Sequence, residues 1–329
     1  MDTAVKAPTP IFIFSLPRSG STLLQRILAA HPAVATLSES HLLLPFVYTL
    51  RERGVYSEYD HGFTVMGIQD LCRALPGGVA DYKAEIRALA LRLYARAAGP
   101  DATYFVDKAG AYHLIVDEIF ELFPEARCIF LWRNPLAVAA SLLASWSGGR
   151  WNLFHYEQPL YEGLPQLVAA YRQRRARVLA LRYEDVLLQP DEALARLFAY
   201  LELPYDPALK EQFAGVALAG RTGDQVGMGR YRQLSREPLD KWQQTLVNPL
   251  RRAWARRYVQ RLGAELLAEM GYDQAELLAA VAGIRPSARY LASDLWRRPF
   301  GVLYRVFEGR IARDKVRDWR AGRRLVVHR

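Results

Sequence analysis

Cysteine is nearly missing from this 329-residue chain: Cys72 and Cys128 are the only two, too few for a disulfide framework and without metal-ligand spacing. Cys128 lies in the apolar run 128–132 and reads as a small buried strand residue. The six histidines are scattered, none paired with a second ligand at helical spacing, so a structural zinc site is not expected. No apolar run approaches the ~18 residues of a membrane span. Residues 1–10 lack a basic cluster followed by an apolar core of signal-peptide length. A cytoplasmic location is the expectation. Net charge is also scarce in the body of the chain. Of the total of +10, residues 285–329 hold thirteen basic and four acidic side chains, which leaves +1 for the preceding 284 residues. A nucleic-acid-binding core is therefore not expected, and the charge belongs to the tail.

What is present is alternation of short apolar runs with helical patterns. Residues 11–15 read as a buried strand, 16–20 as a turn, and 21–30 as a helix with Leu23, Leu24, Ile27 and Leu28 on one face. His31-Pro32 stops that helix, and a loop runs on through Glu39. Residues 42–100 look mostly helical, with breaks at Gly54, Gly62 and Pro76-Gly77-Gly78. Strands at 103–107, 127–132 and 178–182 alternate with helices near 112–123, 135–146, 163–177 and 190–201. This order predicts an α/β fold with a parallel sheet and helices on both faces, followed beyond Pro249 by a helical C-terminal extension. A boundary at 284 is expected between the body, 1–284, and a basic amphipathic tail, 285–329. In the tail Phe300, Leu303, Phe307 and Ile311 recur at helical spacing between arginines. Such a helix suits peripheral contact with an anionic membrane or a partner, and equally a helix packed on the domain with a solvated basic face.

The turn 16–20 is the first chemical motif. A strand, a glycine turn and a helix leave the helix's first N–H groups without partners and aimed at one point, where the macrodipole favours an anion. Ser19, Ser21 and Thr22 add hydroxyls around Gly20, and Arg18 adds a guanidinium. The motif is not a Walker A loop. Ser15 stands at its first glycine and Ser21 at its lysine, which disfavours ordinary ATP or GTP handling.

Leu16-Pro-Arg-Ser-Gly-Ser-Thr-Leu-Leu24 resembles the 5′-phosphosulfate loop of sulfotransferases that use 3′-phosphoadenosine 5′-phosphosulfate (PAPS). Arg133, at a strand end, and Ser141, eight residues on, resemble the family's 3′-phosphate pair. The likeness is nearest to the tyrosylprotein-type branch and covers roughly residues 10–245. It implies a P-loop-like three-layer sandwich, PAPS as donor, and no metal. It also implies Glu39 as catalytic base and Lys108 as catalytic lysine, with Tyr183 packed near the nucleotide and late contacts from Thr222 and Lys241. Glycine at 223, with the unmatched stretch between Val226 and Leu239, departs from the family's pattern in those late contacts.

In-line sulfuryl transfer needs positioning and cations against the charge that grows on the leaving phosphate. Arg18 and Lys108 fit that need. A hydroxyl acceptor also needs a base within reach; Glu39 is the candidate, with His41 as its rival and His113 a weaker one. Residues 146–156, rich in aromatics and glycine, are either a mobile pocket wall or core packing. A P-loop small-molecule kinase and a non-catalytic nucleotide-binding scaffold are the competing readings. The chemical class of the acceptor stays open, because the pattern fixes chemistry and not substrate.

Overall fold

The computed structural model describes residues 7–57, 59–222, 233–307 and 309–322. Five parallel strands, β1 (Thr9–Phe14), β2 (Val34–Thr36), β3 (Tyr104–Asp107), β4 (Arg127–Trp132) and β5 (Leu179–Arg182), lie in the order β2-β3-β1-β4-β5. β1 is central, with Ile11 opposite Val106 of β3 and opposite Arg127 of β4. Alternation along the strands builds two cores, one on each face. Phe12, Phe14, Phe105, Cys128, Phe130 and Trp132 belong to one. Ile11, Ile13, Val106, Ile129, Leu131 and Leu181 belong to the other, where the first helix, Ser21–Ala29, packs Leu23, Leu24, Ile27 and Leu28. Burial pushes the Cys128 thiol up to about 12, so it stays a neutral packing group.

Three local expectations change. The loop before Glu39 contains the short edge strand β2, paired to β3 from Val34–Tyr104 to Thr36–Val106. Gly62 does not break a helix; it falls inside His61–Ala74, whose start is set by Asp60 accepting from the Phe63 amide at 3.1 Å. The helix expected over 112–123 divides into a 3₁₀ turn, Tyr112–Leu114, and the helix Val116–Leu122.

The C-terminal extension is helical: Pro249–Leu262, Ala264–Glu269, Gln274–Gly283, Leu291–Val306 and Gly309–Arg320. Leu291–Val306 packs on the body. Asp294, fully buried, pairs in bidentate fashion with the fully buried Arg251, at 2.6 Å to Nε and 2.8 Å to Nη2. Asn248 donates to Asp294 at 2.8 Å, and Arg251 also donates to the carbonyls of Gly149 and Thr245. Gly301 lies where a Cβ would meet the Phe154 ring at 2.7 Å, so only glycine lets the helix approach that closely.

Candidate active site

The expected residues follow the C-terminal ends of the strands: Arg18 to Thr22 come after β1, Glu39 after β2, Lys108 after β3, Arg133 after β4 and Tyr183 after β5, with β1 central. The turn after β1 is held by the Ser19 amide donating to the Leu16 carbonyl at 3.2 Å. Arg18 and Gly20 both have positive φ, 70° and 92°. A Cβ on Gly20 would lie 2.3 Å from the Tyr183 ring, so the turn needs glycine for its conformation and for its contact. Gly20 caps the first helix without a side-chain hydrogen bond, and the first turn has no acidic residue. The helix N-terminus is thus open to an anion.

Arg133 leaves the end of β4 and is buried. Its Nη1 donates to the Arg18 carbonyl at 2.7 Å, and its guanidinium lies 4.4 Å from the Tyr183 ring centre. Its Nε has no hydrogen-bond partner among the described residues. Arg18 Nε is 3.3 Å from Ser141 Oγ. Arg18, Arg133 and Ser141 line a cleft of about 850 Å³, closed on its far side by Pro238, Lys241, Trp242, Arg289 and Tyr290. A buried guanidinium with an unmatched N–H, beside an uncapped helix start, suits a ligand with two anionic groups. Lys241 reaches Glu237 at 2.5 Å on the cleft wall.

The second cluster lies at the end of β3. Lys108 is 2% exposed. Its Nζ donates to Glu39 Oε1 at 2.7 Å and to Thr22 Oγ1 at 3.3 Å, joining the start of the first helix to Glu39. Glu39 Oε2 accepts from the Gly110 amide at 3.3 Å and is 3.3 Å from His41 Nε2. Burial alone would raise the Glu39 carboxyl. The contacts with His41, Lys108 and Gly110 outweigh it and hold the group at about 2. His41 is in direct contact with Glu39 at a positive φ of 52°. His113 is not beside this carboxylate; its two ring nitrogens meet the Gly110 carbonyl and Gln158 at 2.9 and 2.8 Å.

Thr222 lies by the backbone of the Glu39 turn. Its hydroxyl donates to the Glu39 carbonyl at 2.7 Å, and the Ser38 amide donates to the Ala219 carbonyl at 2.9 Å. Gly223, Asp224 and Val226, of the late stretches that resemble the family's, lie outside the described residues. Residues 148 and 149 line the cleft, while Trp151, Leu153 and Phe154 are buried core, so packing prevails over a mobile wall there.

Sequence reasoning missed three contributors. Asp107, buried at the end of β3, accepts from Tyr94, from Tyr112 at 2.8 Å and from Ser40 at 2.9 Å. It thereby ties the turn that bears Glu39 and His41 to the strand that bears Lys108. Burial raises its carboxyl, opposed by those three donors. A carboxylate adjoining a catalytic lysine candidate was the available signal. Arg289 and Tyr290 of the cleft wall gave none, since they come from the region read as a tail.

A parallel sheet with an open helix start after its central strand, an Arg18–Ser141 contact beside the buried Arg133, and a Lys108–Glu39 pair, but no Walker lysine, fits a P-loop-like group transferase. The chain belongs to the Sulfotransferase family, whose model matches residues 10–207. It is 28% identical over 341 residues to the nodulation protein NoeE of Sinorhizobium fredii, covering 92% of this chain and 75% of that protein. It is 26% identical over 279 residues to a protein-tyrosine sulfotransferase of Drosophila melanogaster, covering 80% of this chain but 51% of that one. Among solved structures, the sulfotransferase domain from the curacin biosynthetic pathway superposes with a TM-score of 0.52 at 24% identity, over 78% of this chain and 97% of that domain. That likeness concerns the fold.

Proposed function

We propose that this chain moves the sulfuryl group of PAPS to a hydroxyl acceptor by in-line displacement, with Glu39 as base and Arg18 and Lys108 facing the transferring group. The observation that carries this reading is the Thr22–Lys108–Glu39 chain of contacts, at 3.3 and 2.7 Å, because it sets cation and base beside the anion-binding turn. The backbone N–H groups at 20–22, with the Ser19, Ser21 and Thr22 hydroxyls, hold the 5′-phosphate. Arg133 and Ser141 hold the 3′-phosphate, toward which the unmatched Arg133 Nε provides a donor. Tyr183 supports the turn, and Lys241 and Trp242 face the nucleotide across the cleft.

In the reaction an acceptor oxygen forms the new S–O bond, its proton passes to Glu39, and the S–O bond to the 5′-phosphate breaks. A carboxylate at about 2 is a weak base. Lys108 supplies the remedy: when it turns to sulfuryl and bridging oxygens, it withdraws part of what depresses Glu39, and the carboxylate's proton affinity rises. Arg18 and Lys108 meet the negative charge that grows on the departing phosphate.

The test is incubation of the full chain with radiolabelled PAPS and a metabolite extract, followed by mass spectrometry of labelled products. Label should pass to a hydroxyl compound. Transfer to no compound, combined with ATP binding as tight as PAPS binding, would replace this reading with a kinase-like one.

A further inference from the structure

The helix Leu291–Val306 meets the body through apolar contact, with Tyr304 lying 5.4 Å from the Phe154 ring and 4.5 Å from the His155 ring. Unlike an ordinary surface helix, it also carries charge on that inner side. Asp294 is buried on Arg251, Arg297 Nε donates to the Trp151 carbonyl at 2.7 Å, and Arg298 lies 4.8 Å from the Trp151 ring centre. Its outer side is apolar: Trp296, Phe300, Leu303 and the following Phe307 are 79%, 49%, 55% and 70% exposed. At ~100° per residue these four share one stripe, on the side away from Asp294, Arg298 and Gly301. The helix Gly309–Arg320 continues the pattern. Val316 and Trp319 are exposed there, and Arg313, Arg317 and Arg320 are exposed beside them.

An apolar stripe of this length, held rigidly outward, marks a docking face. Charge selects its occupant. Residues 285–329 carry +9 against +1 for the rest of the chain. A second copy would set +9 against +9, whereas an anionic surface complements it. Tryptophan beside arginine suits a headgroup boundary, where rings enter and guanidinium groups stay wet. Among the described residues no helix is long and apolar enough to cross a membrane, so contact would be in the plane.

We propose that the outward faces of Leu291–Val306 and Gly309–Arg320 dock in the plane of an anionic lipid bilayer, with Trp296, Phe300, Leu303, Phe307 and Trp319 at the headgroup–acyl boundary. The Arg251–Asp294–Asn248 network fixes the docking face to the body. The basic side chains draw it to the surface, and the apolar stripe retains it.

Co-sedimentation of the full chain with vesicles of phosphatidylcholine alone, or with about a third phosphatidylserine, tests this directly. The expected result is binding to the anionic vesicles only, weakened as salt rises from about 0.05 to about 0.5 M. Trp296→Asp with Phe307→Asp should weaken it by about tenfold or more, with an unchanged melting temperature, because neither residue touches the buried network. Absence of wild-type binding overturns the proposal. So does unaltered binding by the folded double variant, or a wild-type dimer in sedimentation that the same substitutions dissociate.

Discussion

Glu39 illustrates how one residue's surroundings set both chemistry and stability. Folding takes its carboxyl from an ordinary 4.5 to about 2. The ionised group therefore stabilises the fold above about pH 4.5, and that contribution is lost as pH falls toward 2. Glu39→Gln should remove this part of the acid-side slope in denaturant titrations. For catalysis, kcat/KM reports the free enzyme's groups, so with Glu39 as base its acid limb should lie below pH 4.5. The kcat limb should lie higher, because Lys108 is then engaged elsewhere. Glu39→Gln should preserve nucleotide binding and lower turnover by roughly 10²–10⁴-fold, while His41→Ala should cost much less. If His41 proved essential and Glu39→Gln nearly neutral, His41 would be the base and Glu39 its positioning partner.

At the scale of elements, the buried pair between the helices Pro249–Leu262 and Leu291–Val306 decides how the C-terminal region behaves. Asp294→Ala would leave Arg251 charged and fully buried, and should destabilise the protein by about 3–5 kcal/mol in chemical denaturation. It should also weaken nucleotide binding, since Arg289 and Tyr290 of the cleft wall precede the released helix. A loss under about 1 kcal/mol would show that water reaches Arg251. This element also marks the limit of what was legible in the sequence. The central strands were readable because buried parallel strands are continuous apolar runs, as 11–14 and 128–132 are. The turn around Gly20 was readable because its glycine and hydroxyls follow a strand directly. β2 is only three residues long, Val34–Thr36, and its pairing to β3 depends on a partner about seventy residues away. The inward charges of Leu291–Val306 were hidden for a related reason. An arginine or aspartate inside a basic amphipathic pattern reads as solvated until its partner, here more than forty residues distant, is known. Of the candidate site, the turn with Arg18 could be read from the strand–glycine–helix motif and Glu39, Lys108 and Arg133 were candidates only through the family resemblance, whereas the Asp107 and Arg289 contacts arise only from tertiary structure.

At the scale of the whole molecule, two faces stand out. The C-terminal edge of the sheet carries the turn around Gly20, the Lys108–Glu39 pair and the cleft. Arg289 and Tyr290, in the turn before the helix Leu291–Val306, line that cleft, and the helices that follow present an apolar, basic surface. The membership in the Sulfotransferase family and the nearly neutral body agree with a small anionic donor bound at a few placed cations, rather than a polyanion held over a broad field. The proposed donor is PAPS, which requires that Arg133 and Ser141 recognise a 3′-phosphate. Calorimetry with 3′-phosphoadenosine 5′-phosphate and with AMP tests it most directly, in the wild type and in Arg133→Ala. The expected result is at least roughly tenfold tighter binding of the 3′-phosphorylated nucleotide, on the order of 1.5–3 kcal/mol for a charge-assisted contact, with the preference erased in Arg133→Ala. Equal affinity of the wild type for the two nucleotides would contradict it.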